Sequence, residues 1–206
     1  MELKVPMNLL ASLRKLNPRS KSMIPTLSSL ATASLRPEIG WDDFKDVDVR
    51  GKTIVVLIND PPIPDPNDPS KLDEKMFKGK AMTYYGRWSY KYEIAAQKGA
   101  LAAVIVHETK PAAYPWSVVV NSNAKENFVI DAPNKNMDTI PVRSWIALDA
   151  AKKLFAESGL NYDELKAGGF EKDFRPVSLG AKADLSIQNQ IRALKSHNVI
   201  GKTQWR

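Results

Sequence analysis

The sequence predicts an α/β (α+β) fold, a small β-sheet or open barrel core with flanking helices, on three observations. Two short runs free of Asp, Glu, Lys and Arg, Thr53–Ile58 and Ala102–His107, are rich in β-branched residues and read as buried strands. Between them, Trp88–Lys98 places Trp88, Tyr92, Ile94, Ala95 and Ala96 at helical spacing, with Lys91, Glu93, Gln97 and Lys98 as its polar positions. Gly99 then stands where a helix needs a left-handed cap, immediately before the second strand, so helix and strand form one compact unit.

Taken in order, residues 1–38 form a basic leader rich in Leu and Ser, expected to pack poorly because its composition offers no large apolar face. Within it, Leu9, Leu10, Leu13 and Leu16 suggest a short amphipathic helical piece before Pro18. Met23–Leu30 and the small residues after it outline a signal peptide, but Pro25, Thr26, Ser28 and Ser29 dilute it, and the compartment stays open. From Ile39 the chain becomes globular, with a turn at 50–52 leading into the first strand. Pro61, Pro62, Pro64, Pro66 and Pro69 then enforce an extended, unpaired loop.

After the second strand, 109–138 reads as a long excursion in which Val118–Val120 forms a further short strand. Thr139–Trp145 is expected as a strand and Leu148–Glu157 as the second main helix, closed by Gly159. Asn161 with Glu164 is a capping box for one more helix, and the alternation from Leu179 to Ile187 suggests an exposed-edge strand. The domain organisation is thus a leader (1–38), a central domain (39–176) and a C-terminal linker with one strand (177–206).

Charge excludes one class of partner. The net charge is +7, but residues 1–36 hold six basic residues against Glu2, a net of +5, which leaves +2 for everything after. That remainder has no basic stripe to follow a phosphate backbone, so no nucleic-acid partner is expected. No apolar run reaches 18 residues, so no membrane span is expected, and without cysteine there is no disulfide or thiolate chemistry.

The motifs that carry chemistry are thin. Gly51-Lys52-Thr53 and Gly201-Lys202-Thr203 resemble the end of a phosphate loop, but the glycine required five residues earlier is Asp46 or Ser196, so both read as turns. His107 is expected to cap a strand at the surface and His197 to serve an interface; neither lies in a zinc-ligand spacing or beside a nucleophile elbow. Asp60, Asp65, Asp68 and Asp73 read as solvated loop carboxylates rather than a calcium loop, which would need a glycine at its sixth position. Trp88 and Tyr92 read as core. Tyr84, Tyr85 and Arg87 before the helix, and Trp116 beside Pro115, stand equally as contact residues for a substrate or partner and as local packing anchors.

Several segments stand in a telling order: Gly40-Trp41-Asp42-Asp43, Val49-Arg50-Gly51-Lys52-Thr53, Asn59-Asp60-Pro61, Met76-Phe77-Lys78-Gly79-Lys80, Tyr84-Tyr85-Gly86-Arg87-Trp88, Lys91 to Glu108, Tyr114-Pro115-Trp116-Ser117, Ile140-Pro141-Val142 and Ser196-His197-Asn198-Val199-Ile200. Over residues 39–199 the chain resembles the protease-associated (PA) domain region of bacterial zinc aminopeptidases, the group that includes glutamate carboxypeptidase and the transferrin receptor. The resemblance implies a PA-like core and a last motif that opens a peptidase domain. The zinc ligands of that family lie beyond this motif, and none can be carried over. It therefore implies a non-catalytic PA-domain fragment with a role in substrate access or protein interaction. The alternative is a subunit that contributes to metallo-aminopeptidase activity with a zinc domain supplied elsewhere. Peptide or protein substrate and a peptidase domain are the implied partners. No cofactor is expected in this chain, zinc belonging to the parent family, and the chain alone is expected to hydrolyse no aminoacyl substrate.

Overall fold

The structure is a computed structural model that describes residues 9–13, 19–24, 27–29, 31–188 and 190–202. Strands β1 (Leu9–Leu13), β2 (Arg19–Ile24) and β3 (Leu27–Ser29) come first; β4 (Leu35–Arg36) and β5 (Trp41–Asp42) then pair across a single 3-10 turn. Strand β6 (Thr53–Leu57) leads through helices α1 (Glu74–Phe77) and α2 (Trp88–Gln97) to β7 (Ala102–His107). Helices α3 (Thr109–Ala112) and α4 (Trp116–Asn123) lead to β8 (Val142–Ala147). Helices α5 (Leu148–Glu157) and α6 (Tyr162–Gly168) then precede β9 (Val177–Ser178) and β10 (Ala183–Gln188).

The protein is of the α/β class. Its main sheet is open, in the order β1-β8-β7-β6-β3-β9. The four inner strands β3, β6, β7 and β8 run parallel, and β1 and β9 close the two sides antiparallel to their neighbours. Every residue of β6 and β7 is buried, as expected of parallel strands covered on both faces. Alternate residues serve alternate layers. Ile54, Val56, Ala103, Ile105 and Trp145 face a cluster built with Tyr92, Ile94 and Ala95 of α2 and Val119 of α4. Val55, Leu57, Val104, Val106 and Ile146 face Ala150, Ala151 and Phe155 of α5 and Tyr162 of α6. Each fully buried Val, Ile or Leu contributes about 1.5–3 kcal/mol through apolar burial.

Both main helices and the two buried strands lie where the sequence places them, and the Asn161 cap accepts backbone N–H bonds from Asp163 and Glu164 at 3.0 and 3.3 Å. Several expectations need correction. The leader was expected to pack poorly, yet among its described residues β1 and β3 extend the sheet and 31–34 are buried. Without those strands β8 and β6 would present unpaired backbone to solvent, which is the physical reason the leader is recruited. Of the helical piece expected from Leu9 to Leu16, Leu9–Leu13 is a strand and the remainder lies outside the described residues. Val118–Val120 lies inside α4, where Pro115 precedes the first turn and tertiary packing of Val119 overrides β-branched propensity. The proline-rich loop folds back through a bridge between Pro64 and Leu72, with Asp65 N–H donating to Lys71 O at 3.0 Å. His107 is buried, not a surface cap.

The alternation after Pro176 divides into β9 and β10, with Gly180 between them at φ +61°, a left-handed conformation that glycine adopts without strain. β9 pairs with β3 and β10 with β2, so the segment expected to link onward is tied to the leader.

Candidate functional site

Where the chain leaves β6 and β7, at the carboxyl ends of these parallel strands, a half-open cleft of about 430 Å³ is lined by Ile58, Met82, Arg87, Trp88, Ser89, Ala112 and Tyr114. Three segments meet there: Ile58 follows β6, Ala112 and Tyr114 follow β7, and Met82 to Ser89 lead into α2. Met82 and Trp88 remain 39% and 44% exposed, a large apolar area for side chains at the mouth of a cleft. Arg87 is the one charged side chain in the lining and forms no ion pair among the described residues.

The turn that presents Arg87 and Trp88 is fixed from behind. Thr83 donates its backbone N–H and its hydroxyl to the two carboxylate oxygens of Asp60, at 2.6 and 2.7 Å. Asn59 N–H donates to Gly86 O at 3.1 Å, and the Asn59 amide donates to Pro111 O at 3.1 Å, so one residue ties all three segments. Asn59 does so at φ +77°, a left-handed conformation that Asn tolerates better than most residues. Gly86 fits because a Cβ there would meet Asp60 Cγ and N at 2.9 Å.

Beneath this turn lies a buried polar network. Lys91, on the second turn of α2, has no solvent exposure, and its ammonium donates to Thr32 O and to Asn59 O, the latter at 3.1 Å. Asp43 is equally enclosed and accepts from Thr32 N–H (3.1 Å), Thr32 hydroxyl (2.8 Å), Ser34 N–H (2.9 Å) and the Trp41 indole (2.8 Å). Burial lowers the Lys91 pKa to about 8, against the attraction of Asp43 and Asp60. Burial likewise raises the Asp43 carboxyl above its ordinary value, opposed by the Ser34 and Thr32 hydrogen bonds and the Lys91 charge. Lys91, expected among the polar positions of its helix, is thus a core residue. The signal was present: it stands three and four residues before Ile94 and Ala95, on their face.

The four residues singled out from sequence divide. Arg87 lines the cleft. Tyr84, 51% exposed, sits on the same turn, with its hydroxyl on Glu93 and its ring 5.3 Å from that of Tyr90. Tyr85 is half-buried against the core, with Arg36 over its ring at 5.3 Å and its hydroxyl donating to Glu38 at 3.1 Å. Trp116, the first residue of α4, packs on His107 with ring centroids 5.5 Å apart. His107 is held by its Nε2 contact with Tyr114 O at 3.0 Å, and burial lowers its pKa. Trp88, assigned to the core from sequence, instead opens onto the cleft, its ring centroid 6.2 Å from that of Tyr92 in an edge-on arrangement. Met82 and Ser89 were not marked as site residues, because only folding brings three loops together.

The loop carboxylates are structural as well as solvated. Asp60 grips Thr83, Asp65 accepts from Asn67 N–H at 2.7 Å, and Asp73 caps α1 through Lys75 N–H at 2.7 Å. Among the described residues no three His, Asp or Glu side chains converge to hold a metal ion. No helix of the described residues is long and apolar enough to cross a membrane. No family model, no curated protein and no solved structure matches this chain.

Proposed function

We propose that the protein is a non-catalytic, PA-type binding module that holds a peptide or protein segment for a zinc exopeptidase domain carried elsewhere. The observation that carries the reading is the cleft at the ends of β6 and β7, with exposed Met82 and Trp88, Tyr114 as a further aromatic wall, and in its lining Arg87, which forms no ion pair among the described residues. Large apolar surfaces beside the Arg87 guanidinium suit an extended segment that offers an apolar side chain next to an acidic group. The volume accommodates a few residues rather than a folded surface, so loops or chain ends are the natural ligands. Among its described residues the lining holds no His, Asp, Glu, Lys or Cys, and burial raises the pKa of its phenol, Tyr114, which favours holding over turnover.

The test is fluorescence polarisation with a library of labelled hexapeptides pairing Leu or Phe with Asp or Glu, alongside leucyl-anilide hydrolysis with added zinc. The reading predicts saturable binding without hydrolysis. Arg87→Ala and Trp88→Ala should each weaken binding about tenfold or more, as expected of anchor residues, while Phe128→Ala, in an exposed loop outside the lining, leaves it unchanged. Absence of saturable binding across the library, or zinc-dependent turnover by this chain, contradicts it.

A further inference from the structure

Lys91 joins three parts of the chain distant in sequence: α2, on which it stands, the Thr32 carbonyl before β4, and the Asn59 carbonyl after β6. It does not form a contact ion pair with either neighbouring carboxylate. Asp43 is saturated by four donors of its own, and Asp60 is committed to Thr83. A wholly buried ammonium is expensive to desolvate, and replacing it with an apolar side chain would often be neutral for stability. Its placement therefore invites a specific role. Of its two carbonyl partners, Asn59 is the residue that also holds Gly86 and Pro111, the backs of two cleft walls.

We propose that Lys91 is a positioning residue for the cleft: by holding the Asn59 carbonyl, its ammonium fixes the Thr83–Arg87 turn that presents Arg87 and Trp88. The use of the cleft for binding rests on the reading above; the positioning itself does not. The titratable groups facing the ammonium are Asp43 from the segment after β5, Asp60 from the segment after β6 and Tyr90 from its own helix, whose ring centroid is 5.9 Å away. Tyr90 is not a competing switch near neutral pH, because burial raises its pKa to about 12. A neutral amine keeps two N–H donors but loses its attraction for the two carbonyl dipoles and the two carboxylates. Proton loss from Lys91 is thus transmitted to Asn59 and through it to the turn.

The experiment follows backbone amide resonances of the wild-type chain and Lys91→Met from pH 6.5 to 10. Wild-type Asn59, Asp60, Thr83, Gly86 and Arg87 should shift together with one midpoint well below that of an ordinary lysine, while Ala150 and Ala151 on the opposite layer do not. In Lys91→Met the common midpoint disappears. Its Asn59 and Thr83 amides should lose protection from hydrogen exchange by about tenfold or more, the size expected for a hydrogen bond to a charged group. The labelled hexapeptides should bind the variant correspondingly more weakly at pH 7. Uncoupled wild-type amides, or a variant that keeps the midpoint and the protection, overturn the proposal. If the variant fails to fold, the wild-type profile alone decides. If no hexapeptide binds, the binding reading fails while the amide measurements still test the positioning.

Discussion

Helix α2 covers one side of β6 and β7 with Tyr92, Ile94 and Ala95, yet carries a fully buried lysine in the same layer. Helix α5 covers the other side with Ala150, Ala151 and Phe155 and leaves Lys152 and Lys153 in solvent. The α5 layer is the arrangement expected of an amphipathic helix on a sheet, with little polar chemistry inside it. Its partly buried pair, Lys166 with Glu108, sits just after β7, where Glu108 also accepts from the Tyr162 hydroxyl at 2.8 Å. The α2 layer encloses two opposite charges, Lys91 and Asp43, and opens at its end into the cleft. The difference teaches that one layer supplies stability at low specificity cost, whereas the other spends burial on fixing three loops in one geometry.

Asp43→Ala and Phe155→Ala separate these two kinds of layer most sharply. The first leaves four buried donors without their acceptor and removes a nearby counter-charge of Lys91, for an expected loss of about 3–5 kcal/mol. The second removes a packed ring and is expected to lose about 3–5 kcal/mol as well. Urea unfolding should show similar losses, but only Asp43→Ala should move the Arg87 and Trp88 amides. If Phe155→Ala moves them equally, the layers are not independent and the comparison breaks.

Next in size is Gly86→Ala. Its added methyl meets Asp60 and the Met82 side chain below 3.0 Å, so a loss of about 1–3 kcal/mol is expected from overpacking. The readout is the melting temperature together with Thr83 amide exchange, and an unchanged pair of values would show the turn to be slack.

Much of this architecture was legible in the chain. The β6 and β7 runs, the α2 and α5 periodicities and the Asn161 cap are local signals, and local signals survive folding. What failed was non-local. β1 and β3 exist because neighbouring strands need partners, and nothing within Leu9–Leu13 distinguishes a strand from a helical turn. Arg87 was legible as a loop residue before a helix, but the cleft around it depends on Tyr114 and Ile58 arriving from other loops. Lys91 was misread because lysine is so seldom buried that its helical face was overruled by its chemistry.

A smaller effect carries a definite sign. Lys91 has a folded pKa of about 8 against 10.5 for the free group, so between those values the unfolded chain binds more protons and stability rises with pH. The contribution is at most about 1.4 kcal/mol per pH unit, one proton's worth. It should be seen as the difference between wild type and Lys91→Met in urea midpoints from pH 7.5 to 10. A difference that falls with pH would reverse the assignment of burial as the dominant influence on this group.

The smallest effect belongs to the solvent side of the α5 layer. The Lys152–Asp163 pair, 2.7 Å apart with both side chains largely exposed, should contribute only about 0.2–1 kcal/mol and vanish at high salt. A double-mutant cycle with Lys152→Ala and Asp163→Ala measures it. A coupling several times larger would mean that this layer, too, relies on charge.

The central claim is that ligand is held at the carboxyl ends of β6 and β7 by the polar-backed layer and not by the apolar one. Amide hydrogen exchange of the whole chain, with and without a saturating labelled hexapeptide, tests it most directly. The account predicts added protection confined to residues 58–60, 82–89 and 111–114, with α5 and α6 unchanged. Protection on α5 and α6, or on the exposed loop around Phe128, in place of those three segments would contradict it.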